Sequence, residues 1–375
     1  MFQRRRLLSL LTLLPVLAGL PRQSAAQSLV STRGDIEDSL DVPARRVNGA
    51  SQRPLMAVHA LGDRLVAVGM RGLILVSQDG GRNWTQSDVP VQSDLVAIHF
   101  RTANKGWAVG HDGVVLHSVD GGSSWIKQFD GRKAGNALVE HYTRRIQQGQ
   151  KGLQLYLAQV ELNFKRGQSV PYLGVWFRDA NSGYAVGPFG TLIETNDGGN
   201  TWLPALDKID NDSFLHLNAL HEVDRQVYIP AEKGTLFRLN RAAGRFHDIR
   251  TGYEGSFFGV VGHGRSLLAY GLRGTIYRST DDGMSWSSLP RAVNGTYTGG
   301  IYVSKCDVFV LSTSEGDLVT VDVQSGHTER IGKPSNAMIT SLAALPDGSI
   351  AYTGMGGVAK ISANAIVSST TTKLK

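Results

Sequence analysis

Short apolar runs recur along the chain, five of the seven ending in a small residue and followed by a two-residue turn, a glycine and another apolar run, the other two by a slightly longer turn before the glycine. The runs before the turn are Val66–Gly69, Trp107–Gly110, Tyr184–Gly187, Val227–Pro230, Leu268–Gly271, Val308–Leu311 and Ile350–Gly354. The glycines that follow are Gly72, Gly113, Gly190, Gly234, Gly274, Gly316 and Gly357, spaced 41, 77, 44, 40, 42 and 41 residues apart. A further apolar run opens each unit: Leu55–Ala60, Leu95–Phe100, Leu173–Phe177, Phe214–Leu220, Phe257–Val261, Tyr297–Val303 and Met338–Ala343. With a fourth short strand expected near the end of each unit, this is the pattern of a propeller blade. The reading is all-β: a seven-bladed β-propeller over residues 51–367, with blades starting near 55, 95, 173, 214, 257, 297 and 338.

Four units share a phrase between their third and fourth strands. It reads Ser77-Gln78-Asp79-Gly80-Gly81-Arg82-Asn83-Trp84 in the first unit. It returns around Asp120 and Trp125, Asp197 and Trp202, and Asp281 and Trp286. The glycines permit a turn with positive backbone angles. The carboxylate can accept amide hydrogen bonds inside that turn, and the Ser or Thr hydroxyl can close another. The Trp can pack beneath the hairpin. One carboxylate repeated at one geometry is expected to be a structural clip, because an active site needs different groups converging on a point.

The single long spacing marks an insertion, residues 131–168, between the fourth strand of blade 2 and the first of blade 3. Leu138, Tyr142 and Ile146 recur every four residues, and Leu153, Tyr156, Leu157, Val160 and Phe164 every three or four. That period predicts two helices, with Gly149 and Gly152 at the turn between them. The stripe is expected to pack on the propeller and the basic side to face a partner. The basic residues are Arg132, Lys133, Arg144, Arg145, Lys151, Lys165 and Arg166 against Glu140 and Glu161, a net +5. In a four-strand meander, the loop after strand four shares a face with the turn between strands two and three. Arg71, Lys233 and Arg273 sit in such turns, so they are expected to join the insertion in one docking surface, opposite the Asp turns.

The phrase Ser/Thr-x-Asp-x-Gly-x-Thr/Ser-Trp resembles the Asp-box, or bacterial neuraminidase repeat. The fuller pattern, Ala-Val-Gly-x-x-Gly, two apolar residues, then Ser/Thr-x-Asp-Gly-Gly-x-x-Trp, is similar to the photosystem II stability/assembly factor-like family, over roughly residues 42–367. That resemblance implies a seven-bladed propeller with non-enzymatic, protein-binding assembly work on a membrane complex. It implies photosystem II in a phototroph, and another envelope complex such as a transporter elsewhere.

Charge and termini then narrow the setting. The formal charge is +7, and four of those cations, with no acid, lie in residues 1–26, leaving +3 on the remainder. This mild balance gives no reason to expect nucleic acid as a partner. Arg4-Arg5-Arg6, the apolar run Leu7–Leu20 and Ser24-Ala25-Ala26 read as a signal peptide cleaved after Ala26. The expected location is the periplasm, or the thylakoid lumen in a phototroph, with peripheral membrane contact and a monomeric state. Residues 27–50 read as an irregular leader and 368–375 as a tail. Cys306, the single cysteine, reads as a small buried hydrophobe and cannot form an internal disulfide.

No cofactor is expected. The histidines lack metal-ligand spacing. The competing class is a sialidase-like glycoside hydrolase on the same scaffold. Against it, no Arg-Ile-Pro motif is present, and Glu194, Glu232, Glu254 and Glu315 form no recognisable pair for glycoside chemistry.

Overall fold

The computed structural model describes residues 37–164 and 170–366. Seven antiparallel sheets follow one another, each a simple meander. Blade 1 comprises Leu55–Leu61, Arg64–Gly69, Ile74–Ser77 and Thr85–Gln86, and blade 2 Leu95–Phe100, Gly106–Gly110, Val115–Ser118 and Ile126–Phe129. Blade 3 comprises Gly174–Phe177, Gly183–Val186, Leu192–Thr195 and Leu203–Pro204, and blade 4 His221–Val223, Gln226–Pro230, Thr235–Asn240 and Arg245–Arg250. Blade 5 comprises Phe257–His263, Ser266–Gly271, Ile276–Ser279 and Ser287–Ser288, and blade 6 Tyr297–Val303, Val308–Thr313, Leu318–Asp322 and Thr328–Gly332. Blade 7 comprises Ile339–Ala344, Ile350–Gly354 and Gly357–Ile361.

The second strands are buried almost throughout, Gly106–Gly110 and Ser266–Gly271 completely so. Each lies between the faces of two neighbouring blades, which explains continuous apolar runs where a half-exposed strand would alternate. Among the described residues, seven buried clusters fill the seven interfaces between neighbouring blades. Polar side chains also stitch the inner strands together. Thr340 Oγ1 of blade 7 donates to the Leu55 carbonyl of blade 1 at 2.8 Å, and this bond closes the ring. Asn218 Nδ2 donates to the Phe257 carbonyl at 2.8 Å.

Two elements depart from the sequence expectation. Blade 7 has three strands among the described residues, where four were expected. The first strand of blade 4 begins at His221 rather than Phe214. The cause is local: the Asn211 side chain clamps a turn, donating to the Leu215 carbonyl at 3.0 Å and accepting from its amide at 2.9 Å. Phe214 therefore sits at φ 49°, outside any strand conformation. Leu217 alone in this stretch bridges to blade 4, opposite Ala231.

The insertion folds as two helices, α1 (Gly131–Gln147) and α2 (Gln154–Phe164). Asp130 caps α1, accepting from the amides of Arg132 and Lys133 at 3.1 and 3.2 Å. No described helix is long and apolar enough to cross a membrane.

The leader lacks regular structure from residue 37 until the short 3₁₀ turn Ala50–Gln52, yet it is pinned. Leu40 is buried among residues of blades 1 and 2, and the Ala44 amide donates to the Val89 carbonyl at 2.9 Å. Gly72 makes that path open. Its φ is 72°, and a Cβ there would come within 2.0 Å of the Val91 carbonyl oxygen and 3.2 Å of Ala44 Cβ.

Candidate functional site

Five of the seven turns between second and third strands share one backbone solution. Arg71, Asp112, Phe189, Lys233 and Arg273 all lie at φ between 52° and 57°, each directly before its turn glycine. The insertion packs against this same face. Gln159 Nε2 of α2 donates to the Phe189 carbonyl at 3.4 Å, and Asn163 Nδ2 to Thr191 Oγ1 at 3.4 Å. At the start of α1, Gly131 lies under the blade 2 turn, 3.0 Å from where a Cβ on Gly113 would be. Lys233 and Arg273 stand on the neighbouring blades 4 and 5, while Arg71 stands on blade 1. All three are exposed and, among the described residues, make no ion pair.

The insertion itself spends much of its charge inside the chain. Its apolar stripe is buried as the spacing predicts: Ala134, Leu138, Tyr142, Leu153 and Val160 join the cluster between blades 2 and 3, with Ile146, Tyr156, Leu157 and Phe164 against it. Arg132 forks onto Asp41 of the leader at 2.6 and 2.8 Å and also reaches Asp38 and Asp130 at 3.3 Å. Hydrogen bonding from Arg132 brings the Asp41 carboxyl down to about 2. Arg145 meets Asp207 at 2.6 Å, and the Tyr142 hydroxyl donates to the other Asp207 oxygen at 2.9 Å. Burial pushes the Tyr142 hydroxyl well up, and the Asp207 charge adds to it. Burial also pushes the Asp207 carboxyl up, but Arg145 and Tyr142 outweigh it and hold it below the ordinary range. Arg144 pairs with Glu140 one turn away at 2.7 Å. Lys133 and Lys151 are exposed with no ion pair among the described residues, and Lys165 and Arg166 lie outside the described residues. Nothing in the residue spacing marked Asp41 or Asp207 as partners; the fold brings them in from the leader and from the turn after blade 3.

The four Asp turns share one network. The Ser77, Ser118, Thr195 and Ser279 hydroxyls donate to Asp79, Asp120, Asp197 and Asp281 at 2.8, 2.8, 2.9 and 2.7 Å. Each hydroxyl accepts from a glycine amide, for example Gly199 at 2.9 Å. The far carboxylate oxygen accepts from Asn83, Ser124, Thr201 or Ser285 at 2.6–2.7 Å. The Asn83 amide and side chain hold Asp79 far below the usual carboxylate range, and the Ser285 hydroxyl and amide do the same for Asp281. Trp84, Trp125 and Trp286 donate through Nε1 to the carbonyls of Gly81, Gly122 and Gly283 at 3.1, 3.0 and 3.1 Å. Trp202 is buried but makes no such bond; in its turn, the Gly198 carbonyl accepts from Trp107 and Gln128 of blade 2 at 3.2 and 2.9 Å. Among the described residues, every donor to these carboxylates is local, an arrangement that holds a turn.

The first strands surround a central channel of about 910 Å³. His59, His99 and His221 line it, and burial pushes them down to about 4, about 3 and about 4, so they are neutral at pH 7. His99 Nε2 lies 3.3 Å from the Phe177 carbonyl, which fixes the proton on that nitrogen. Sequence spacing did not single out these three, because they come from different blades. Among the described residues no group of His, Cys, Asp and Glu side chains is placed to hold a metal ion. Glu194 pairs with Lys208, and Glu232 accepts the His216 amide at 2.8 Å, so each has a structural partner. Cys306 lies beside the first two strands of blade 6, in the turn between them, and is half-buried against the cluster between blades 6 and 7 rather than fully buried.

The chain belongs to the family described as photosynthesis system II assembly factor YCF48, whose model matches residues 59–136 and 156–370. The unmatched stretch between them falls within the insertion. Among solved structures, the chain is similar to YCF48 bound to D1 peptide, with 14% identity and a TM-score of 0.60, covering 84% of this chain and 97% of that one. It is also similar to YCF48 from Cyanidioschyzon merolae, with 12% identity and a TM-score of 0.61, covering 85% of this chain and 99% of that one. No curated protein matches the chain in sequence.

Proposed function

We propose that this chain is an exported, non-catalytic, protein-binding propeller that assists the assembly or stability of a membrane protein complex. In a phototroph that complex would be photosystem II; elsewhere it would be another envelope complex, such as a transporter. The observation that carries the reading is the family match over all seven blades. A structural relative holds a D1 peptide, so an extended segment of a membrane subunit is the kind of ligand we propose here. The turn face that carries the insertion, Lys233, Arg273 and Arg71 is the proposed docking surface, with its exposed cations steering an acidic partner.

Export with cleavage after Ala26 is part of the proposal. Sequencing the amino terminus of protein recovered from the periplasm or lumen tests it: Gln27 is expected first, and a retained Met1 would contradict it. Affinity purification from gently solubilised membranes tests the role. Stoichiometric recovery of the subunits of one membrane complex is expected; a chain that purifies alone would remove the reading. Fluorogenic sialosides and other glycosides are expected to stay at background, whereas turnover lost on Glu194→Gln or Glu232→Gln would establish the hydrolase instead.

A further inference from the structure

We infer that the cavity on the rim of blade 1 binds an amphiphile: a single anionic head, carboxylate or phosphate, on a short apolar body. This goes beyond the protein-docking role and does not depend on it. The cavity has a volume of about 370 Å³, within the range of small-molecule sites. The leader builds one wall as it crosses blade 1, tied to the outermost strand there. The Val47 amide donates to Gln86 Oε1 at 3.0 Å, and Gln86 Nε2 donates to the Arg45 carbonyl at 2.8 Å. Val47, Pro54, Met70 and Leu73 supply the apolar lining. Val47 and Met70 are each 40% exposed, a cost in water that a hydrocarbon would relieve.

Three guanidinium groups, Arg45, Arg53 and Arg71, line the same cavity. Among the described residues none of them has a carboxylate partner. Their neighbour Arg46 does pair, with Asp88, so the absence is selective. Three clustered cations repel one another, and a planar fork of N–H donors is matched best by a carboxylate or phosphate. The remaining polar lining residue is Gln92, whose amide nitrogen already donates to the Pro43 carbonyl at 3.1 Å and whose oxygen lies 3.5 Å from Arg71 Nη2. The lining side chains thus present donors and hydrocarbon with no carboxylate. That favours a ligand whose polar end only accepts hydrogen bonds and disfavours a cation or a peptide rich in N–H groups. Arg45 and Arg53 lie before residue 59, outside the segment matched by the family model, whereas Met70, Arg71, Leu73 and Gln92 lie within it.

The head group could belong to a free amphiphile or to an anionic lipid at a membrane surface, and the experiment separates the two. The mature protein is titrated calorimetrically with dodecyl phosphate, inorganic phosphate and dodecyltrimethylammonium, then with phosphatidylglycerol vesicles in competition. Saturable one-to-one binding of dodecyl phosphate is expected, weakened about tenfold or more in R45Q/R53Q and in M70E, whose carboxylate would occupy the guanidiniums. All variants are expected to melt with the wild type, since these side chains are exposed. Displacement by vesicles assigns a lipid source, and its absence a free amphiphile. Equal binding of dodecyltrimethylammonium or of inorganic phosphate, equal binding by the variants, or no saturable binding by the wild type would each overturn the site.

Discussion

The insertion and the bare rim of the turn face are both basic, and they use their cations in opposite ways. On the insertion, Arg132, Arg144 and Arg145 are matched to Asp41, Glu140 and Asp207. On the rim, the side chains of Arg71, Lys233 and Arg273 make no ion pair among the described residues; the only carboxylate at Arg71, Asp94, accepts from its backbone amide at 2.7 Å. Net charge therefore locates a surplus without saying which residues are free to attract a partner. Arg132 and Arg145 fasten the helices to the leader and to blade 3, while the rim cations remain available to solvent and ligand.

The largest expected effect that sharpens this contrast is Arg145→Glu. It leaves Asp207 facing a like charge beside the neutral Tyr142 hydroxyl in a mostly buried cluster, and a loss of about 3 kcal/mol is expected for breaking such a pair. Thermal or urea denaturation checks it. An unchanged melt would show that Arg145 is as free as the rim cations.

Acid provides the next test. The folded state holds the channel histidines His59 and His221 down to about 4 and His99 down to about 3, against an ordinary value of 6.5. Depressed folded values mean the unfolded chain takes up protons first. Their contribution is complete above pH 6.5 and falls as the pH drops from there towards 3. The Asp41 carboxyl, brought from 3.8 to about 2, behaves differently: its contribution is intact above pH 3.8 and is lost as the pH falls through about 2. Stability measured from pH 7 to 4 is expected to decline through the channel before the clamp between leader and insertion weakens. A flat profile to pH 4 would contradict the burial of the histidines.

A smaller effect is expected on the other side of the propeller. Asp197→Ala is expected to cost about 1–2 kcal/mol by removing a local turn network. Partner binding is expected to survive, because the clip lies away from the turn face. A variant that melts normally yet loses binding would move the functional surface to the Asp turns.

The repeat was legible because a blade is a local unit: apolar runs, turn glycines and the Asp phrase lie within one period of sequence. The helices were legible for the same reason, since Leu138, Tyr142 and Val160 keep a helical spacing and are buried. What the sequence hid was long-range pairing. Arg132 finds Asp41 ninety-one positions away and Arg145 finds Asp207 sixty-two away, with no motif to announce either. The start of blade 4 was misplaced because Phe214 and Leu217 keep an apolar pattern that the Asn211 clamp overrides.

The smallest expected stability change belongs to the rim, and it accompanies the most direct test of the docking role. Lys233→Asp and Arg273→Asp reverse two exposed charges in a backbone conformation that Asp112 already adopts in blade 2, at φ 57°. Their melts are expected to stay within about 0.5 kcal/mol of the wild type. The decisive measurement is quantitative recovery of one membrane complex, subunit by subunit, on wild-type and double-variant protein across a salt series. The account predicts that reversal lowers recovery sharply at low salt and that the difference shrinks as salt screens the rim. Equal recovery at every salt concentration, from proteins of equal stability, would contradict it.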